Sequence, residues 1–163
     1  MEKIDFKILT NYILSFNSLD YLNADLIEEW IFELINLGYK SDAIYMLASF
    51  SKPIDLAEIK PYLKRVFNEF NLKEKTGFEA KKSFIKYHLN QIANSENIRG
   101  NLRKVIDLYY DFESDLDITD FYLLYYAWEE LEEIKVNFYY PNVDLGNIEK
   151  VVIEKALIWI NEK

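Results

Sequence analysis

Residues 23–50 read NADLIEEWIFELINLGYKSDAIYMLASF, and this stretch decides the fold class. Leu26, Ile27, Trp30, Ile31, Leu34 and Ile35 recur at the spacing that places side chains on one face of an α-helix. Asn23 stands where a polar side chain can accept from the open N–H groups of a first turn. Gly38 stands where the last turn closes in a left-handed conformation, which costs glycine least. Ser41 then repeats the capping signal before DAIYMLASF, a nearly uncharged run expected to be a short helix packed on most sides. A helix stop and a helix start this close together make two helices neighbours in space.

The same reading extends in both directions. Upstream, Phe6, Leu9, Ile13 and Phe16 keep a helical period that the loop NSLDYLN ends. Downstream, Asp55 and Glu58 have capping-box spacing ahead of LAEIKPYLKRVFNEF. Pro61 either kinks one helix or begins a second after a single turn; proline fits the first turn of a helix, so the second is expected. A helix over residues 77–93 should bury Phe84, Ile85, His88, Leu89 and Ile92 and leave Lys81, Lys82 and Lys86 outside that face. NIRGNLRKVIDLYYDF forms the next helix, starting near Asn97 or Asn101, and Asp117 is placed to cap the one containing FYLLYYAWEELEE, residues 121–133. VNFYYPNVDLGN is the longest irregular piece, and IEKVVIEKALIWI closes the chain as a helix burying Ile148, Val151, Val152 and Trp159. The fold class is therefore all-α: a bundle of about seven or eight helices in one domain over residues 1–163. HEAT-like stacking of helix pairs and a compact irregular bundle both fit, since no fixed repeat period is visible.

Composition agrees. Of 163 residues, 50% are hydrophobic and 17% aromatic, with only 4 Gly and 3 Pro, too little punctuation for many short strands. The absence of cysteine removes disulfides, thiolate metal sites and a cysteine nucleophile from consideration. The start MEKIDFKILTNY has no unbroken apolar core of a signal peptide, and no run reaches the length of a membrane span, so a cytoplasmic location is expected.

Trp30, Leu34, Gly38, Ser41, Leu47 and Ala48 form a pattern that resembles one shared by many uncharacterised small bacterial helical proteins. The likeness continues through EIKPYLKRVFNEF, FIKYHLNQIANSENIRGNLRKVIDLYYDF and FYLLYYAWEELEE, most of the chain. Such proteins commonly have Gly where Ser95 or Glu96 stands here, and a longer aliphatic run in place of the tyrosines. The resemblance implies a helical fold and no particular activity, because the matching positions are helix ends and packing faces.

Candidate chemistry fails on spacing. Asp111, Glu113, Asp115 and Asp117 alternate as calcium ligands would. In that register, however, Leu116 falls where an EF-hand needs glycine and Tyr122 where it needs a bidentate carboxylate. A di-iron bundle needs Glu-x-x-His on two helices, but His88 is the single histidine and Ile85 precedes it at that spacing. His88 is expected in the core rather than in a catalytic set. IRGN and DLGN each offer one glycine and no following Lys-Ser or Lys-Thr, so no phosphate loop is present. No catalytic residue, cofactor or metal is assigned.

Charge supplies what functional signal remains. Residues 1–51 hold 3 basic and 8 acidic groups, residues 52–104 hold 12 and 6, and residues 105–163 hold 4 and 14. Within FYLLYYAWEELEE, Phe121, Leu124, Tyr125, Trp128 and Leu131 form a core stripe. Glu129 lies one turn from Glu132 and Glu133, like-charge pairs that cost about 0.2–0.5 kcal/mol each in an isolated helix. Either the basic middle segment neutralises them or they form an acidic surface for a basic partner. The second option defines the leading functional expectation. It is a non-catalytic, monomeric or dimeric protein that binds another protein through Glu129, Glu130, Glu133, Tyr139 and Tyr140, as an immunity-type neutraliser of a basic toxin would. The alternative is a helical-repeat-like protein that binds or processes nucleic acid on a face made by Lys60, Lys64, Arg65, Lys81, Lys82 and Lys86. Membrane binding is disfavoured, because anionic lipid repels an acidic chain.

Overall fold

The computed structural model describes residues 5–109 and 117–162. Eight α-helices and no strand occur among the described residues: α1 (Phe6–Ile13), α2 (Leu26–Asn36), α3 (Asp42–Ala48), α4 (Leu56–Glu69), α5 (Gly77–Ala93), α6 (Ile98–Ile106), α7 (Thr119–Ile134) and α8 (Ile148–Glu162). The all-α class and the helix number are as the periodicity requires. None of the described helices is long and apolar enough to cross a membrane. Contacts group the chain into two compact units, Met1–Phe84 and Ile85–Lys163, with the boundary inside α5.

In the first unit, α1 packs on α2, α2 on α3 and α3 on α4. Trp30 is wholly buried, its ring edge-on to Phe67, and its indole N–H donates to Thr10 Oγ1 at 3.0 Å. The stop of α2 is the one the sequence requires. Gly38 adopts φ +91°, Gly38 N–H donates to Ile35 O and Tyr39 N–H to Leu34 O, the paired bonds of a Schellman motif. The Ser41 hydroxyl oxygen accepts from Ile44 N–H at 3.2 Å and an Asp55 carboxylate oxygen from Ala57 N–H at 2.8 Å, so these two predicted caps form. Asn23 does not cap α2, because Asp25 holds that N-cap without a side-chain bond and the Asn23 side chain accepts from Asp25 N–H instead. Burial pushes the Tyr12 phenol up to about 12, although its oxygen accepts from Asn23 N–H.

Three further expectations are corrected. Pro61 does not begin a second helix, because α4 runs through it. At the sixth position of a helix, proline withholds one bond, to the Ala57 carbonyl. Ala57 is exposed, so water can serve that carbonyl. Helix α3 is not packed on most sides: Ala43, Ile44 and Leu47 are buried, whereas Tyr45 and Met46 face solvent. Asp117 caps nothing; it sits at φ +53° and Ile118 holds the N-cap of α7 without a side-chain bond.

In the second unit, α6 packs on α7 and α8, and α7 on α8. Phe121, Leu124, Tyr125, Ala127, Trp128 and Leu131 form the buried face of α7, the stripe read from the sequence plus Ala127. Ile148, Val152, Ala156 and Trp159 are the buried face of α8, with Val151 half-buried.

Candidate functional site

The last two turns of α7 carry four carboxylates, and the structure uses three of them internally. Arg99, on α6, places one guanidinium nitrogen on Glu129 and the other on Glu132, over the ring of Trp128. This is the neutralisation by the basic middle segment considered above, and it relieves the like-charge pair one turn apart. The hydrogen bond to Glu129, first, and that to Glu132 raise the Arg99 pKa. Glu130 accepts from Phe138 N–H at 2.8 Å. Glu133 is exposed and engages no cation among the described residues.

Replacement of Arg99 by Gln is therefore expected to lower stability by about 1 kcal/mol at low salt and by less at high salt, because the ions are only partly buried. Thermal melts at the two ionic strengths check this; an unchanged low-salt melt would show that the clasp contributes nothing.

Lys135 ends α7 in a left-handed conformation, φ +65°, and sends the chain back along the helix. The return loop is braced at every step. Asn137 accepts from Tyr140 N–H and donates to Val143 O; Asp144 accepts from Gly146 N–H; Asn147 accepts from Asp144 N–H and donates to Asn142 O. Pro141 followed by Asn142 at φ +61° is the pairing a type II turn requires. The Tyr139 ring lies 5.5 Å from that of Tyr126, two turns up α7. Tyr140 is half-buried near Lys155, whose ammonium lies 5.9 Å from the ring and 2.6 Å from Asp120. The bond to Asp120, first, and one to Tyr140 raise the lysine pKa.

This bracing fixes one residue that sequence reasoning did not single out. Phe138 is 83% exposed, beside Tyr139 at 41%, with Ile134 and Val136 also open to solvent. The signal was legible in part: Asn and Asp at 137, 142, 144 and 147 are turn formers, but nothing in the spacing says which aromatic they leave outside.

The six basic residues of the alternative face belong to both units. Lys60 is paired with Asp20 at 2.9 Å and Arg65 with Glu69 at 3.1 Å; Lys64 is exposed, and Lys81 and Lys82 are half-buried in the same unit. Lys86, half-buried, belongs to the second unit. His88 is 8% exposed, as expected of a core histidine. Asp111, Glu113 and Asp115 of the calcium-like run lie outside the described residues. No group of three or more potential metal ligands occurs among the described residues. A cleft of about 190 Å³ between α7 and α8, lined by Asp120, Phe121, Lys155 and Trp159 among others, has its lysine already held by Asp120. No protein-family model, curated protein or solved structure matches the chain.

Proposed function

We propose that the chain is a non-catalytic binding protein that holds a basic protein partner through its acidic second unit. The observation that carries this reading is Phe138, a large apolar side chain held outside by a loop whose turns are hydrogen-bonded. Leaving a phenylalanine in water forgoes about 1.5–3 kcal/mol of burial. A braced loop has also already met part of the ordering cost that binding would otherwise impose. Exposed apolar residues gathered in one place mark interaction surfaces, and buried aromatic anchors dominate interface energies. The surroundings select for charge: residues 85–163 hold 8 basic and 15 acidic groups. Small acidic proteins that neutralise basic toxins have this combination of size and charge, an analogy of kind and not of sequence.

The test is affinity capture from cells that make the protein, using wild type, Phe138→Ala and Glu133→Gln, with melts of all three. Neither variant should melt lower by more than about 0.5 kcal/mol, since both side chains are exposed. Phe138→Ala should weaken capture by about 2 kcal/mol, through faster release. Equal capture by wild type and Phe138→Ala would refute the reading.

A further inference from the structure

The second unit already shows three times how its surface handles a cation. Arg99 sits between two carboxylates over Trp128. Arg103 lies 5.3 Å from the Tyr125 ring, donates to its hydroxyl at 3.0 Å and is paired with Asp107. Lys155 joins Asp120 near the Tyr140 ring. In each case a carboxylate supplies the charge and an aromatic ring the face, the arrangement that suits a guanidinium best.

The end of α7 offers a carboxylate, Glu133, that engages no cation among the described residues, and a partly open ring, Tyr139. Tyr126, Glu130 and Glu133 follow one another along one stripe of the helix, at spacings of four and three residues. Tyr139 lies against Tyr126, and Glu130 holds the backbone of Phe138. Glu133, Ile134, Val136, Phe138 and the open part of Tyr139 are all exposed within the seven residues that end α7 and begin its return loop.

Resting on the protein-binding reading above, we infer that this patch takes an amphipathic helical segment of the partner. Its apolar stripe covers Phe138 and Val136, and an arginine beside that stripe reaches Glu133 and the Tyr139 face. Charge complementarity favours this occupant over a second copy of the chain, whose matching surface would bring together two units that each carry the same acidic excess. Arginine fits better than lysine because its planar fork can meet a carboxylate and lie on a ring together.

The probe is a fluorescein-labelled helical peptide of leucine and arginine, about five turns long. Its companions carry lysine or glutamate in place of arginine, or the same leucines and arginines in an order without a stripe. Fluorescence anisotropy should show salt-sensitive binding of the arginine peptide, weaker binding of the lysine peptide and none of the glutamate peptide. Phe138→Ala should weaken the arginine peptide about tenfold or more, and Glu133→Gln about threefold with a flatter salt dependence. Glu149→Gln, which removes the same charge from the exposed start of α8, should change nothing.

Equal binding of the stripe-less peptide, or equal loss in Glu149→Gln, would reduce the effect to general attraction and overturn the inference. A wild type that sediments as a dimer, with Phe138→Ala a monomer, would assign the patch to a second copy and overturn it as well. If no peptide binds while protein capture still depends on Phe138, this inference fails and the protein-binding reading stands. If capture does not depend on Phe138, both fail.

Discussion

Trp30→Ala is expected to lose about 3–5 kcal/mol of stability, while Trp30→Phe loses less than half of that. The indole is completely buried where α1, α2 and α4 contribute Thr10, Trp30 and Phe67. Truncation to Ala leaves a cavity bounded by helices that cannot all move inward. Loss of the indole N–H removes one hydrogen bond, worth about 1 kcal/mol, but strands little, because the Thr10 hydroxyl still donates to Phe6 O at 2.7 Å. The larger part of the loss is therefore packing, which Phe partly restores. Since small domains are stable by about 5–15 kcal/mol, Trp30→Ala removes a large fraction of that margin. Urea unfolding followed by far-ultraviolet circular dichroism measures the change. Trp128 and Trp159, both in the second unit, remain as fluorescent reporters of that unit. A loss below about 1.5 kcal/mol would mean that the site collapses around Ala and that Trp30 is not the centre of its unit.

Trp30 was readable because its burial follows from local period alone. The same holds for Gly38, Ser41 and Asp55, where the requirement is set within one turn: a left-handed residue, or an oxygen facing an open N–H. Pro61 was misread because the penalty for proline inside a helix depends on whether the carbonyl it abandons faces water, a tertiary property. The exposure of Tyr45 and Met46 escaped notice for a similar reason, since a short uncharged helix shows no polar face to mark its solvent side.

The site was less legible than the fold. Glu129, Glu130 and Glu133 form one run in sequence but have three fates: a clasp on Arg99, an anchor for the Phe138 backbone, and solvent. Arg99 is 30 residues from Glu129, and no spacing rule joins them. Tyr139 and Tyr140 likewise separate, one tilted on Tyr126 at the surface and the other turned toward Lys155. Charge count located the acidic third, but which carboxylates remain available is decided by packing.

The stability of wild type is expected to fall by about 3 kcal/mol more than that of His88→Leu as pH drops from about 6.5 to about 4. Burial, first, and the nearby Lys104 hold the His88 imidazole down at about 4, against the opposing hydrogen bond to the Asn101 amide oxygen and the charge of Asp107. The Asn101 amide nitrogen donates to Glu96 O at 2.7 Å, which turns its oxygen toward His88 Nδ1, 2.7 Å away. The folded protein thus keeps a neutral ring with its proton on Nδ1. In the unfolded chain the ring titrates near 6.5. Between those two values the unfolded chain binds a proton that the folded one refuses, so stability rises with pH across that window. The contribution is complete above about 6.5 and is lost as pH falls toward about 4; each pKa unit of difference corresponds to about 1.4 kcal/mol. Subtraction of the His88→Leu profile removes the contribution of the carboxylates, because they are common to both proteins. Urea unfolding at a series of pH values supplies the two profiles, and the Cε1 proton resonance of the single histidine supplies its pKa directly. A resonance that titrates at or above 6.5, or two parallel stability profiles, would place a charged ring in the second unit and return His88 to candidacy as a proton-transfer group.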